Sequence, residues 1–411
     1  MATKTNSRTR SASSASSSPP PKRQKITGTP FAATTVAPFA ATFPRRTLLS
    51  SSRWVNKVPH DIWVYKIFQP FLDLKALSTL GRCNTFFEEY WKYVLKQNII
   101  RVPEGCPTVN QALELAVVFS ERNECTRENP VQVQVGEGNH EMRTCVDVLA
   151  HTTYHIPVDC NNVTIVGKGK GKTTILGGFG VNGKQNVKIQ QLSARNIAGH
   201  GLDCRNGATV DVTECCFKLC RDDGMCVDDG ATVTATRCDF MKNYECGMFV
   251  DGGATVTATR CDFMENGGNG VLCSGANTKV RLNGSTMHHN GEYGLQAYGE
   301  GYGDWSRAML LKVRLNDSTM HHNGESGLQA YGHAVVNLHG TKTDIHSNKW
   351  DGIYAYHNAK VNIHLPSQHN TTPDNLGQNR EQYDGGSIAN INADGTFTHV
   401  EEVHDDEEDD D

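Results

Sequence analysis

The sequence lacks the long apolar run of a membrane-spanning segment. Only 37% of its 411 residues are hydrophobic, and no stretch reaches the roughly 18 consecutive apolar residues of a transmembrane helix. No apolar segment follows Met1 either, so the pattern of a secretory signal is missing. We therefore expect an intracellular protein of the nucleus or cytoplasm, without a membrane partner and with its 14 cysteines reduced.

Acidic residues are missing from the first part of the chain. Ten Lys or Arg precede Asp61, the first acidic residue, whereas nine of the last eleven residues are acidic. Residues 1–56 are rich in Ser, Thr, Ala and Pro, which bury too little apolar surface to offset the entropy of folding. We predict a disordered basic tail over 1–56 and a disordered acidic tail over 401–411.

A compact group of cations follows a proline run in the basic tail. Lys22, Arg23 and Lys25 stand in the stretch PPPKRQK. An exposed cluster of this kind is typical of a nuclear-import signal, which is the interpretation we favour. A plastid or mitochondrial transit peptide and simple solvated charge are the two alternatives.

The chain has no leucine-rich motif, but it repeats itself about every 23 residues. The stretch GATVTATRCDFM occurs at 230–241 and again at 253–264. Each valine of the resulting ladder has a small or aliphatic residue two positions later, as expected for a strand with one buried face. The ladder consists of Val163, Val187, Val210, Val233, Val256, Val280, Val313, Val336 and Val361.

Two further ladders accompany the valines, so each repeat holds three short strands. One has the form Cys238-x-Phe240, and the other begins at a glycine, as in Gly247-Met248. Asparagines that stand four positions before these glycines are expected to stack on one another: Asn243, Asn266, Asn290, Asn323 and Asn348. Three strands in about 23 residues are typical of one coil of a right-handed parallel β-helix, whereas propeller blades are longer.

The predicted fold class is mainly β: a right-handed parallel β-helix solenoid with a small N-terminal α-helical module. An amphipathic helix over 109–119 and an alternating strand over 131–138 are expected to start the solenoid. The region 101–365 is similar in architecture to the pectin-lyase-like superfamily. The predicted boundaries are a helical module at 57–100, a cap with the first strand at 101–160, repeats at 161–365 and a C-terminal cap at 366–400.

The helical module resembles the F-box, a three-helix domain. The residues that fit the family pattern are Pro59, Ile67, Phe68, Leu74, Leu77 and Trp91, while Val58 replaces the leading Leu. The resemblance implies binding to the Skp-family adaptor of a cullin ubiquitin ligase. The implied adaptor-binding residues are Pro59, Ile62, Ile67, Phe68, Phe71, Leu74 and Leu77. A helical bundle that only caps the solenoid is the alternative.

Motifs that suggest catalysis or nucleotide binding fail on their spacing. GKGKGKTT lacks the first glycine of a P-loop, because Val166 stands in its place. His200 precedes Asp222 and Asp223, the reverse of the polygalacturonase order, and the leading motif of that family is missing. Asp228 and Asp251 lie one coil apart, near enough in principle for a pair of catalytic carboxylates, but we interpret them as turn residues. We predict no catalytic residue and no cofactor.

Paired histidines head the same turn in neighbouring coils. His288-His289 and His321-His322 are followed by His346 at the next equivalent position. We find no acidic or thiolate ligand in that register and predict no metal site.

The outward face of the third strand alternates amides with aromatic rings. A row of this kind suits a peptide or a sugar, because tyrosine offers a large ring and a polar tip. The predicted substrate-binding residues are Phe249, Leu272, Gln296, Tyr298, Gln329, Tyr331, Tyr354 and Tyr356, together with Trp305 in an inserted loop.

The main interpretation is a non-enzymatic receptor of an SCF-type ubiquitin ligase. Its F-box would bind the adaptor and cullin complex, and its β-helix would bind an unidentified protein substrate; no nucleic acid is expected. The alternatives are a carbohydrate-active β-helix enzyme, either a polysaccharide lyase or a glycoside hydrolase, and a non-catalytic scaffold.

Overall fold

The computed structural model describes residues 98–141, 155–299, 311–364 and 374–399. The import signal, the F-box-like segment, Trp305 and the acidic tail lie outside these ranges, so the hypotheses about them stay predictions. Within the described ranges, no helix is both long enough and apolar enough to cross a membrane.

Three sheets run along the solenoid, and a complete coil contributes one strand to each sheet. Sheet A contains β1 (Ile99–Val102), β2 (Val131–Val135), β5 (Val163–Val166), β8 (Val187–Gln190), β11 (Thr209–Thr213), β14 (Thr232–Thr236), β17 (Thr255–Thr259), β20 (Lys279–Asn283), β23 (Lys312–Asn316), β26 (Val335–His339), β29 (Lys360–His364), β31 (Ser387–Ile391) and β32 (Phe397–His399). Sheet B contains β3 (Gly138–Glu141), β6 (Thr173–Leu176), β9 (Ser193–Arg195), β12 (Cys216–Lys218), β15 (Asp239–Met241), β18 (Asp262–Met264), β21 (Thr286–His288), β24 (Thr319–His321) and β27 (Asp344–His346). Sheet C contains β4 (His155–Pro157), β7 (Gly178–Asn182), β10 (Leu202–Arg205), β13 (Met225–Val227), β16 (Met248–Val250), β19 (Val271–Ser274), β22 (Leu295–Tyr298), β25 (Leu328–Tyr331), β28 (Ile353–Tyr356) and β30 (Arg380–Tyr383).

The duplicated stretch forms neighbouring coils, as the repeat predicts. Strands β14 and β17 pair in parallel, with Val233 opposite Val256 and Ala235 opposite Ala258. Equivalent residues therefore stack directly on one another, about 4.8 Å apart along the axis. The predicted fold class, a mainly β right-handed parallel solenoid, is confirmed by this arrangement and by the sequence comparison given below.

The interior is filled by the three ladders. Phe217, Phe240 and Phe263 are fully buried, and their rings stack at centroid distances of 5.5 and 4.9 Å. The valines of sheet A lie on the same side of the coil, inside the solenoid. Cys238 and Cys261 are buried beside them, and the twelve cysteines of the described ranges carry free thiols. Small sulfur-bearing side chains therefore act here as apolar filling.

Stacked asparagines close the turns between sheets B and C. Asn243 Nδ2 donates to Asn266 Oδ1 over 2.9 Å, and Asn266 Nδ2 donates to Asn290 Oδ1 over 3.0 Å. The same bond continues through Asn323 and Asn348 at 3.0 and 2.9 Å. All of these amides are buried. The predicted ladder of asparagines is confirmed, and it supplies buried turns with the hydrogen bonds that water cannot reach.

One helix covers the first coils. Helix α1 (Val109–Arg122) begins at the cap residue Thr108, whose side chain accepts a bond from Gln111 N over 3.3 Å. Its apolar face buries Leu113 and Phe119. Sheet A starts earlier than expected, because β1 precedes α1 and pairs in parallel with β2. The helix therefore closes an end of the core that would otherwise face water.

Candidate functional site

Register places the predicted substrate-binding residues in two parallel rows on sheet C. One row runs through Phe249, Leu272, Gln296, Gln329 and Tyr354. The other runs through Tyr298, Tyr331 and Tyr356. The two rows that the alternation predicted are present, and substrate binding by these residues stays a prediction.

Side chains of these rows contact one another more closely than expected. Gln296 Nε2 donates to Gln329 Oε1 over 2.5 Å, and Gln329 Nε2 donates to the hydroxyl of Tyr293 over 2.8 Å. The rings of Tyr298 and Tyr331 stack at 4.5 Å. Only 4% of Gln329 and 7% of Tyr331 is exposed, so these two residues are largely buried rather than presented to solvent.

A groove of about 950 Å³ lies over the turns that join sheets B and C and over the adjoining part of sheet C. Two residues of the predicted rows, Leu272 and Gln296, lie in its wall. The other lining residues with polar or charged side chains are Arg195, Lys242, Asn243, Tyr244, Glu245, Glu265, Asn269 and Glu292, and Gly268 also lines it. The groove is thus a concave site with several carboxylates, the usual setting of a ligand site.

The carboxylates follow one register position, which we call the acidic row. It comprises Asp222, Glu245, Glu292 and Glu325, each two residues before a ladder glycine, and it is interrupted by Gly268. Backbone bonds fix this register: Gly268 N donates to Glu245 O over 2.9 Å, Glu292 N to Gly268 O over 3.2 Å and Glu325 N to Glu292 O over 3.1 Å. Glu245 and Glu292 therefore flank a position without a side chain, with their backbones about 9.5 Å apart.

Desolvation and nearby negative charges raise the pKa of two glutamates in this row. Desolvation, followed by the negative charges of Asp223 and Asp222, raises the pKa of Glu245, although much of its side chain is exposed. Desolvation and the charge of Glu292 likewise raise the pKa of Glu325. A carboxyl with a raised pKa keeps its proton to a higher pH, which is a property of a general acid.

A histidine and an aspartate meet beside the groove. His200 Nδ1 lies 3.3 Å from Asp223 Oδ2, and the other carboxylate oxygen of Asp223 accepts from the amide of the groove residue Cys246 over 2.9 Å. His200 Nδ1 also lies 3.2 Å from the Asp223 amide. It accepts from that amide when unprotonated and donates to the carboxylate when protonated. Burial lowers the pKa of His200, but hydrogen bonding and the charge of Asp223 outweigh burial, so the pKa is raised.

A second histidine stacks on the first. The His155 ring lies parallel to His200 at 5.9 Å, and His155 Nε2 lies 3.1 Å from the carbonyl oxygen of His200. Burial lowers the pKa of His155. Asp203 Oδ2 stands 3.9 Å from His155 Nδ1, and Asp203 Oδ1 accepts from Arg205 Nε over 2.8 Å. Acidic, basic and imidazole groups are therefore held together at this end of sheet C.

Sequence reasoning did not find these groups, although a signal was present. His200 and Asp223 do not follow the order of a known motif, but both stand directly before ladder glycines and are 23 residues apart. Glu245 and Glu292 share their offset from the glycines in the same way. Asp228 and Asp251 each accept a bond from the next backbone amide over 2.6 Å, which is the turn role that was expected of them.

The paired histidines form an array on the outer face of sheet B. His288, His321 and His346 stack at 5.0 and 5.2 Å. Asp262 stands opposite Thr286, two positions away from the histidine register, and its Oδ1 lies 3.1 Å from His288 Nε2 across neighbouring strands. Burial and the surrounding imidazoles lower the pKa of His321 to about 4. Among the residues that the structure describes, no three His, Cys, Asp or Glu are arranged to hold a metal ion.

Comparison with known proteins supports the fold. The family described as "Right handed beta helix region" matches residues 158–304. No curated protein matches the chain. The A-module of Azotobacter vinelandii mannuronan C-5 epimerase AlgE4 is similar in structure, with a TM-score of 0.50 and 14% identity over 69% of this chain and 91% of that one.

Two further solved structures show weaker similarity. The catalytic domain of a GH87 alpha-1,3-glucanase has a TM-score of 0.35 and 11% identity, over 70% of this chain and 68% of that chain. The periplasmic alginate epimerase AlgG has a TM-score of 0.34 and 11% identity, over 64% of this chain and 77% of that chain.

The prediction that the protein is not an enzyme is wrong. It treated the solenoid as a recognition surface only, yet the A-module with a TM-score of 0.50 belongs to an epimerase. The sequence reasoning failed because it looked for the motif of one enzyme family, and a solenoid presents side chains from many coils on one face.

Proposed function

We propose that the protein is a carbohydrate-active β-helix enzyme that hydrolyses a polysaccharide in the groove between sheets B and C. The observation that carries this proposal is the pair Glu245 and Glu292 on either side of Gly268 in the lining of the groove. The names of the similar solved structures, two epimerases and a glucanase, agree with a carbohydrate substrate and favour it over the ubiquitin-ligase interpretation.

The spacing of the two carboxylates favours an inverting reaction. Their backbones lie about 9.5 Å apart, a separation from which flexible glutamate side chains can reach the roughly 6.5–9.5 Å between carboxyls that is typical of inverting glycosidases. A sugar ring and one water molecule fit between carboxyls at that distance. Neighbouring members of the row, such as Glu292 and Glu325, are only about 4.8 Å apart along the axis.

In this mechanism Glu245 is the general acid. Its raised pKa lets it hold its proton to a higher pH than an ordinary glutamate, and it gives this proton to the glycosidic oxygen as the bond to the anomeric carbon breaks. Glu292 removes a proton from the water that attacks the anomeric carbon from the opposite face. Asp223 is a positioning residue: it holds the Cys246 amide in the groove wall, and its negative charge helps to raise the pKa of Glu245.

The adaptor-binding hypothesis remains separate from this proposal. It concerns residues 57–100, of which the structure describes only 98–100. An adaptor-binding module and a catalytic solenoid are compatible on one chain, so capture of a Skp-family adaptor would neither support nor oppose hydrolysis.

The test is a panel of purified polysaccharides, including an α-1,3-glucan, an alginate and a polygalacturonate, assayed for new reducing ends. We expect Glu245→Gln and Glu292→Gln each to reduce turnover of the accepted polymer by about a hundredfold or more. The matched control is Glu265→Gln, which also lines the groove but pairs with Lys242 at 3.3 Å and lies outside the acidic row. Turnover by Glu245→Gln equal to that of the control would contradict the assignment.

A further inference from the structure

A square of four cations lies on the outer face of sheet A. Strands β20 and β23 carry the same five residues, KVRLN, and pair in parallel with Lys279 opposite Lys312 and Arg281 opposite Arg314. All four side chains are exposed. They are separated by about 4.8 Å between strands and about 6.7 Å along each strand. We call these four residues the cation grid.

The fold does not require these charges. The preceding strand β17 places Thr255 opposite Lys279 and Thr257 opposite Arg281, so threonine serves at the equivalent positions of the neighbouring coil. Like charges directly opposite each other on adjacent strands are destabilising. The chain nevertheless places two such pairs side by side, at a cost to its own stability.

No acidic side chain of the described ranges forms an ion pair with the cation grid. Along the row of Arg281, the nearest carboxylate is Asp211, three strands away. Asp317, in the turn after β23, accepts instead from the Lys342 amide over 3.1 Å. Within the described ranges, the grid is therefore a concentration of positive charge that no ion pair compensates.

The nearby histidines add no charge at neutral pH. His339 and His364 lie on β26 and β29 and stack at 3.9 Å. Burial, then the charges of His364, Arg314 and Arg281, lower the pKa of His339 to about 4, and burial and Arg314 also lower the pKa of His364. After burial, the arginine charges contribute to both shifts in the direction expected of a positively charged face.

We infer that the cation grid binds a linear anionic polysaccharide, at a site on a different sheet from the groove. Arginine forks and lysine ammonium groups pair well with carboxylate and sulfate groups. Successive coils repeat the cations in straight rows, and a polymer with one carboxylate on each sugar ring repeats its charges in the same linear manner. This inference does not depend on the groove being catalytic, because it concerns binding alone.

Two observations favour a polysaccharide over a nucleic acid as the partner. The chain has a net charge of −5, whereas nucleic-acid-binding domains are usually strongly basic. The rows that contain the cation grid carry Thr, Val, Asn and Lys at their other positions on the flanking strands β17, β26 and β29, and no Phe, Tyr or Trp on which bases stack.

The test uses the threonines of the neighbouring coil as a template. In the full chain, Lys279, Arg281, Lys312 and Arg314 are all replaced by Thr, and binding of polygalacturonate is measured at several salt concentrations. We expect wild-type binding that weakens as salt increases, and a loss of affinity of about tenfold or more in the variant. Unchanged melting would show that the variant is folded.

Two controls separate the cation grid from net charge and from the groove. Two double variants lower the net charge equally. One combines Arg281→Thr with Arg314→Thr, and the other combines Lys218→Thr with Arg237→Thr. Only the first should weaken binding of polygalacturonate. Glu265→Gln, in the groove wall but outside the acidic row, should bind polygalacturonate as the wild type does. The inference is overturned if the wild type does not bind polygalacturonate, if the fourfold variant binds as tightly, or if an oligonucleotide binds more tightly than the polysaccharide.

Discussion

The cation grid shares two coils with the acidic row but has the opposite charge. The coil that carries Lys279 and Arg281 on sheet A carries Glu292 on the turn between sheets B and C, and the next coil repeats the arrangement. Inside these coils the inward positions stay buried, with Met287 and Met320 in place of the phenylalanines of the earlier coils. Stacking thus restricts which side chains fit at the inward positions, whereas each outward face can carry different side chains.

The first way to test this contrast is to remove an inward ring. Phe240→Ala should destabilise the protein by about 3–5 kcal/mol, because the ring is fully buried between Phe217 and Phe263 and leaves a cavity. The matched control is Thr234→Ala at an outward position of sheet A. We expect its free energy of unfolding to lie within about 0.5 kcal/mol of the wild-type value. Denaturant unfolding measures both variants, and equal losses would remove the distinction between the two faces.

The next largest effect is expected in the asparagine ladder. Asn290→Ala should lower the free energy of unfolding by about 1–3 kcal/mol, since it removes the acceptor of Asn266 Nδ2 and the donor to Asn323 Oδ1. The remaining buried amides would then lack partners. Asn283→Ala, on the more exposed face of the same coil, is the comparison variant. Equal unfolding midpoints for the two variants would mean that the ladder contributes little.

A smaller effect is expected from the histidine array on acidification. The pKa of His321 is lowered to about 4, so the unfolded chain binds its proton more readily than the folded one. Stability from this group is therefore present above its unfolded pKa and is lost as the pH falls from about 6.5 towards 4. His321→Gln should reduce that loss by about 1 kcal/mol, once solvent screening of this partly exposed array is allowed for. Parallel curves of melting temperature against pH for the two proteins would contradict the prediction.

The most localised effect concerns the acidity of the groove. Asp223→Asn removes a negative charge that raises the pKa of Glu245, so the pKa of Glu245 should fall. Activity that requires protonated Glu245 would then decline at a lower pH than in the wild type. Carboxyl-carbon NMR titration of Glu245 in both proteins measures the change directly. An unchanged titration midpoint would show that Asp223 does not act on Glu245.

Much of the fold could be predicted from the sequence because stacking repeats it. Val233 and Val256 occupy the same place in successive coils, and any residue with the same offset from a ladder glycine shares a row. The early start of sheet A could not be predicted, since β1 has only four residues and precedes α1. The burial of Tyr331 also depends on contacts across coils, with Tyr298 and Tyr356, rather than on its own strand.

Only part of the candidate site could be predicted from the sequence. The rows of amides and rings on sheet C follow from alternation, although Gln329 and Tyr331 are buried rather than exposed. The approach of His200 to Asp223 and the gap at Gly268 between Glu245 and Glu292 depend on which turn residues share a register. Motif order conceals that relation, because a solenoid assembles a site from residues about 23 positions apart.

The central claim is that Glu245 and Glu292 cleave a polysaccharide across the gap at Gly268, and the stereochemistry of the product tests it most directly. Proton NMR in the first minutes of hydrolysis, before the free sugar equilibrates, identifies the anomer that is released. We expect inversion at the anomeric carbon. This hydrolysis should be lost in Glu245→Gln and kept in Glu265→Gln. Retention of configuration would contradict it, because a retaining enzyme needs two carboxyls only about 5–5.5 Å apart.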